Sequence, residues 1–317
     1  MWFNNLVVYQ LQAPFAITPE TMHHALEEFH LKPCPAHARQ SQGFINPFYD
    51  RDEKLYSICN CHIIVAANEV RLLPASVINT ILNEKLEEFE LNQQRRMRRA
   101  EQLQLKEELE FELLPKAFIV QKKEWLYIDT FKQWVVINSS NPNKAADLMG
   151  LLIKALGPLS AEPLVVDISL SLLFKNWLSE PQSLPDALSL GRRCMLIKSQ
   201  DDKSQYICKD IEQNGNEIDT LLAEGYCVAS LELSWLDRIQ FTLTDNFQLK
   251  RLKCIDYLDE TFKENGKLGD EHEKFDANFS LLAGEVRQLL SFLLSICQQP
   301  KTTEALRHTP ATLELVN

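Results

Sequence analysis

An α+β fold, with mixed or antiparallel sheets and packed helices, is what this 317-residue sequence predicts. Three observations carry the prediction. Apolar runs of strand length follow one another with turn signals between them, near residues 5–11, 56–73, 117–137 and 193–243. Segments with apolar residues at helical spacing lie between these runs at 18–29 and 141–156 and after the last of them at 276–298. Finally, Ser76 to about Leu114 contains no Gly or Pro and is dominated by Glu, Leu, Lys, Gln and Arg, so a long helical segment projects from the body.

Taken in order, Asn5–Leu11 has strand composition. Thr18 caps a helix to Phe29, with Pro19 in the first turn and Met22, Ala25, Leu26 and Phe29 on one face. Tyr56–Ala67 reads as a strand that turns at Asn68-Glu69 into Val70–Leu73, a hairpin. Within 76–114, Ile78, Ile81, Leu82, Leu86 and Phe89 share a stripe, which resumes at Leu103, Leu105, Leu109 and Leu113. That is one long helix, or two with a break near the arginines. Three strands follow, Ala117–Val120, Trp125–Ile128 and Trp134–Ile137. Asn141 caps a helix to Leu156, with Pro142 in its first turn and Gly157 closing it. Pro158–Pro185 reads as a Pro- and Ser-containing linker region. Beyond it come strands at Arg193–Lys198 and Gln205–Lys209, a short helix Glu217–Ala223 ending at Gly225, and strands at Cys227–Trp235 and Arg238–Leu243. Asp276–Gln298 is a strongly apolar helix, read as core in preference to interface. The last dozen residues are expected to fray. The blocks 1–157 and 190–298 share a strands-then-helix order without a sequence repeat.

Composition narrows the function classes. With 45% hydrophobic and 24% charged residues, the chain has ample material for a core. No apolar run reaches the roughly 18 residues that span a bilayer, and Met1-Trp2-Phe3-Asn4-Asn5 lacks a basic leader, so neither membrane insertion nor secretion is expected. Eight scattered cysteines read as buried thiols of a reducing cytoplasm. Catalytic constellations are missing. There is no Gly-rich phosphate loop, no G-x-S-x-G and no H-E-x-x-H, and only nine glycines in all. Cys59-Asn60-Cys61-His62 has metal-ligand residue types, but on one strand Cys59 and Cys61 face one side and His62 the other, with no second ligand pair. His23 and His24 point about 100° apart on a helix and read as solvated. Cys34 and Cys194 have no base nearby in sequence, and Asp167, Asp201 and Asp202 read as solvated loop acids. No enzyme, cofactor, metal or small-molecule substrate is expected.

What remains is charge. The net charge is −11, yet cations cluster in two places. Arg95, Arg96, Arg98 and Arg99 occupy four of five consecutive positions, which as helix would cover more than half the circumference. Glu88, Glu90 and Glu101 are placed to neutralise part of that charge. The second cluster, Leu249-Lys250-Arg251-Leu252-Lys253, pairs as a hairpin with Arg238–Leu243 across Thr244–Gln248. Strict alternation puts Arg238 with Gln240 on one face, Lys250 with Leu252, and Arg251 with Lys253 on the opposite one. Such local fields in an acidic chain attract an anion, and arginine's planar fork suits phosphate.

Several stretches resemble the RdgC family of recombination-associated proteins. They are Trp2–Tyr9, Leu113-Leu114-Pro115-Lys116-Ala117-Phe118, Trp235–Phe241, Leu249–Lys253, and Phe275–Phe279 followed by Gly284-Glu285. The resemblance implies a bacterial, cytoplasmic, nucleoid-associated homodimer. It implies a ring with a positively lined hole that admits duplex DNA without sequence preference and limits access of the recombinase RecA. It further implies a three-part subunit: a centre (1–75 and 115–157), a tip (76–114), and a second α+β region including the base (158–317). DNA-contacting candidates are then Arg95, Arg96, Arg98, Arg99, Lys116, Lys209, Arg238, Lys250, Arg251 and Lys253, with Phe118 near the tip contact of the dimer. Asp210-Ile211-Glu212 after Lys209 departs from the family's basic-polar character. The competing class is a scaffold with a coiled-coil arm at 76–114 and an acidic protein partner, which the broken heptad across Glu90–Met97 weakens.

Overall fold

The computed structural model describes residues 3–198, 204–212, 215–265 and 269–297. Asp201, Asp202 and the last dozen residues lie outside the described residues. Antiparallel strand pairing and packed helices make the chain α+β, in two units, Met1–Leu164 and Val165–Asn317.

The first unit runs β1 (Val7–Leu11), α1 (Pro19–Glu28), β2 (Gln40–Ile45), β3 (Leu55–Ile58), β4 (Cys61–Leu72), α2 (Ala75–Gln93), α3 (Arg99–Leu113), β5 (Phe118–Asp129), β6 (Trp134–Ile137), α4 (Pro142–Leu156) and β7 (Ala161–Pro163). Its sheet has the order β2-β4-β5-β6-β1-β7, with β3 also paired to β4. The two capped helices form where local signals place them. Thr18 Oγ1 accepts the Thr21 N–H at 3.4 Å, and Asn141 Oδ1 accepts the Asn143 N–H at 2.9 Å. Ala145, Leu148, Met149 and Leu152 of α4, with Met22 and Leu26 of α1, cover Val7, Tyr9, Phe44, Ile64, Leu126 and Val135 of the sheet in one apolar cluster. Beside it, Gly43 lets β2 approach the end of α1 closely. A Cβ there would stand 2.5 Å from Leu31 Cα, where Phe44 O accepts the Leu31 N–H at 2.9 Å.

Two expectations are corrected in this sheet. The hairpin turn is not at Asn68-Glu69 but at Cys59-Asn60, both with positive φ (51° and 60°). Asn68 and Glu69 sit inside β4, opposite Lys122 and Gln121. Ala117–Val120 and Trp125–Ile128 are not two strands but one, because Gln121–Glu124 stay paired with β4. Together β4 and β5 make a twelve-residue ribbon, from Cys61↔Asp129 to Leu72↔Phe118.

The second unit contains α5 (Leu170–Ser179), β8 (Leu188–Lys198), β9 (Gln205–Cys208), α6 (Gly215–Ala223), β10 (Tyr226–Trp235), β11 (Ile239–Thr244), β12 (Leu249–Cys254), α7 (Asp256–Asn265) and α8 (Glu271–Cys297). The strands form an antiparallel sheet in the order β12-β11-β10-β8-β9. The linker reading of 158–185 is corrected. Beyond β7, Ser169 caps α5, whose Phe174 and Trp177 are buried. Leu236 and Asp237, both at φ 51°, turn β10 into β11. Leu231, Leu233 and Trp235 point to one face, and the Trp235 ring lies 6.4 Å from Phe292 of α8. By length and apolarity α8 is a helix that meets the requirement for a membrane span, which corrects the expectation that no such segment exists. Its apolar stripe, Phe279, Leu282, Val286, Leu289, Leu290 and Leu293, is buried within the protein, as a core helix requires.

Candidate nucleic-acid interface

Of the two arrangements expected for 76–114, the structure has two helices with a break at the arginines, so the first cationic cluster does not run along one helix. Gln94 adopts a left-handed conformation (φ 52°) and ends α2, and α3 starts at Arg99. Arg95, Arg96 and Arg98 therefore lie in the connecting loop, with Arg99 in the first turn of α3. The two helices pack on each other, leaving Leu86 and Phe89 half-buried and only Ile78 and Leu109 fully buried. Glu101 organises the loop. Its carboxylate takes two bonds from the Arg95 guanidinium, at 2.9 and 3.0 Å, and the Arg98 backbone N–H at 2.7 Å. These bonds, Arg95's first, hold the Glu101 carboxyl down at about 2. Arg95 also lies 4.8 Å over the Phe89 ring, and Arg96 pairs with Glu90 at 3.1 Å. Arg98 and Arg99 are exposed and carry no side-chain ion pair among the described residues. Half the cluster is thus neutralised and half is displayed.

At the base of the hairpin, Lys116 pairs with Glu112 at 3.1 Å. Arg71 holds the chain there by donating to the carbonyls of Cys34, Pro35, Leu114, Pro115 and Ala117. Phe118 opens β5 with 84% of its surface exposed, opposite Leu72 at 51% and beside Ile119 at 44%. Phe118 and Leu72 make an apolar patch where the ribbon joins the helical hairpin, and Ile119 faces the other side.

The second cluster departs from strict alternation. Between Gln240↔Lys253 and Thr242↔Lys250, β12 carries one residue more than β11, and the extra residue, Arg251, has φ 56°. This bulge turns Leu249 and Leu252 both into the core and Lys250 and Lys253 both onto the opposite face, beside Thr242 and Gln240. The expected pairing of Lys250 with Leu252 on one face is corrected accordingly. A second irregularity, in β8 at Gly191–Arg193, is held by Glu232, whose carboxylate accepts the N–H groups of Arg192 (2.9 Å) and Arg193 (3.1 Å). Gly191 makes room for it, since a Cβ would meet Glu232 Cγ at 2.5 Å. Arg193 thereby joins the Lys250 face. Sequence reasoning missed it, although glycine inside a strand pattern is a bulge signal.

Two candidates stand apart. Arg238, in the β10–β11 turn, bonds to Glu285 of α8, a carboxylate only 5% exposed. Lys209 is exposed just past β9, where the chain stays tied to β8 through Ile211 N–H to Arg192 O at 3.1 Å. The remaining titratable residues do not assemble. Cys59 is exposed in its turn, Cys61 is buried, and His62 Nδ1 lies 2.8 Å from Ser57 Oγ. Cys34 Sγ donates to Ala38 O at 3.4 Å. Cys194 stands opposite Cys208 across β8 and β9, its thiol pushed up to about 12, mainly by burial. Among the described residues no group of three or more His, Cys, Asp or Glu is arranged to hold a metal ion.

These features define a two-unit α+β protein that displays cations on a helical hairpin and on one sheet face. The family model described as "Putative exonuclease, RdgC" matches residues 1–299. A protein of Proteus mirabilis named recombination-associated protein RdgC is 31% identical over 297 residues, covering 93% of this chain and 98% of its own. Proteins of the same name from Pseudoalteromonas translucida (33% over 296 residues; 92% and 96%) and Pseudomonas fluorescens (32% over 285 residues; 89% and 92%) are similar throughout. The chain belongs to the RdgC family. The names of these relatives state a link to recombination and no enzymatic activity, whereas the family description mentions an exonuclease.

Proposed function

We propose that this chain is a non-enzymatic protein of the bacterial cytoplasm, associated with the nucleoid. It binds double-stranded DNA without sequence preference, closes around it as a homodimer, and limits RecA access during recombination. The observation that carries the reading is the placement of cations that make no side-chain ion pair among the described residues. Arg98 and Arg99 at the hairpin tip, and Lys250 and Lys253 on one sheet face, are displayed by a chain of net charge −11. Lys and Arg set against phosphates release condensed counterions, and an acidic remainder keeps DNA off other surfaces. Residues 76–114 act as the tip, 1–75 with 115–157 as the centre, and 158–317 as the region that includes the base. The exposed Phe118, with its cross-strand neighbour Leu72, supports an apolar tip contact between two copies.

The test is a titration of random-sequence duplexes at several salt concentrations. Affinity is expected to fall along a log–log line with a slope of about −0.9 per phosphate contacted, alike for unrelated sequences. No binding at low salt sinks the reading, and trimming of end-labelled duplex in Mg²⁺ sinks its non-enzymatic part. Phe118→Ser is expected to leave the fold intact, since the side chain is exposed, but to lose salt-resistant retention on circular DNA. Retention equal to wild type removes Phe118 from ring closure.

A further inference from the structure

The face of the five-stranded sheet that carries Thr242 is hollowed into a cavity of about 200 Å³, lined among others by Arg193, Ser230, Thr242, Thr244, Lys250 and Arg251. Ser230, Thr242 and Thr244 bring hydroxyls to it and Arg193, Lys250 and Arg251 bring cations, with Cys194, Met195 and Ile207 completing the wall. Thr244 Oγ1 is committed, accepting the Gln248 N–H at 3.0 Å. Thr242 is not: the residue is only 8% exposed and its Oγ1 has no hydrogen-bond partner among the described residues. The Arg193 Nε is likewise buried and without a hydrogen-bond partner among the described residues. A buried N–H or O–H without an acceptor is unfavourable, so a group that only accepts is what this cavity lacks. The nearby carboxylates do not supply it. Glu232 is held by the Arg192 and Arg193 backbone N–H groups, and Asp245, close enough to feel Lys250, is itself disfavoured as an anion by burial.

We infer that this cavity is a phosphate site, in which Thr242 Oγ1 and Arg193 Nε donate to the oxygens of one phosphate while Lys250 balances its charge. The bulge at Arg251 is what allows this. A regular strand would turn Lys250 and Lys253 to opposite faces, and the extra residue puts both on the face of Thr242. The group fits a backbone phosphate of duplex DNA or free inorganic phosphate. Choosing the DNA backbone rests on the function proposed above.

The full chain, labelled at threonine methyls, is titrated with inorganic phosphate and, separately, with duplex DNA. Both are expected to shift the methyls of Thr242 and Thr244, and Thr242→Val, which keeps the shape and removes the hydroxyl, to abolish the phosphate response read at Thr244. Against DNA, Lys250→Gln is expected to lower affinity roughly 10-fold and the steepness of the salt dependence by about 0.9, one phosphate contact. Thr242→Val lowers affinity about 5-fold with the slope unchanged, because it removes a donor and no charge. If wild type binds DNA but neither titrant moves Thr242, the site is refuted and the DNA reading survives. A phosphate response in a protein that does not bind DNA keeps the site and removes the DNA reading. Phosphate binding with unaltered DNA affinity in both variants overturns the backbone as its source.

Discussion

Replacing Arg238 with Met is expected to destabilise the protein by about 2 kcal/mol at neutral pH, below the roughly 3–5 kcal/mol typical of a broken buried pair because water already reaches the guanidinium. The Arg238 side chain is 35% exposed and that of Glu285 is 5% exposed, so the loss falls on the carboxylate left behind. Its second oxygen already lacks a hydrogen-bond partner among the described residues. In the native protein, burial raises the Glu285 carboxyl above the usual carboxylate range, and the Arg238 charge pulls it back down. Without Arg238 the carboxyl rises further. A group raised on folding favours its protonated form in the folded state. The penalty is therefore absent below the unfolded carboxylate range and grows as pH rises through it. Urea unfolding at pH 7.5 and pH 4.5 should show a deficit that shrinks on acidification. The double variant Arg238→Met with Glu285→Leu should recover most of it. A deficit that ignores pH would show that packing, not charge, is what Arg238 supplies. If DNA affinity of the folded variant also equals wild type, Arg238 leaves the list of DNA contacts.

Arg238 illustrates what was legible in the sequence. Elements whose signals are local were readable. Thr18 with Pro19 and Asn141 with Pro142 mark helix starts by chemistry contained within a few residues. Elements whose cause lies across the sheet were not. The polar run Gln121–Glu124 looks like a break between strands, yet it lies on the ribbon with its backbone paired to Ala66–Glu69. Asn68-Glu69 looks like a turn because its polar side chains suit one, but Glu69 instead accepts the Cys34 N–H at 2.9 Å. Helix α5 was hidden because ten residues between prolines and serines carry too few turns for a period to stand out.

The same division holds for the site. That cations cluster is a property of the chain and was visible. Which of them are free is a property of their neighbours and was not. Glu101 was recognised as a neutralising partner because it lies a few residues from Arg95, whereas Glu285 is 47 residues from Arg238 and only folding brings it there. The bulge at Arg251 depends on the register with β11, so strict alternation placed Lys250 with Leu252, where folding places it with Lys253.

Changing Arg98 and Arg99 together to Ala is expected to weaken duplex binding by about 10- to 100-fold and to reduce the steepness of the salt dependence by about 1.8, two contacts at 0.9 each. Changing Arg95 and Arg96 instead should move the slope far less, because Glu101 and Glu90 already match those charges. The second pair has a different signature. Arg95 and the Arg98 N–H hold the Glu101 carboxyl at about 2, below its ordinary 4.5. A carboxyl lowered by folding stabilises the fold above its unfolded value, and that contribution disappears as pH falls toward the folded one. The carbon-13 shift of the Glu101 carboxyl should therefore titrate near 2 in wild type and markedly higher in Arg95→Ala. Exposure of the ion pair keeps its effect on global stability small. Two variants of equal charge change thus separate the arginines that shape the loop from those that face the duplex. Equal slope changes in both would mean that the Glu101 and Glu90 pairs open when DNA arrives, so that all four arginines meet phosphate.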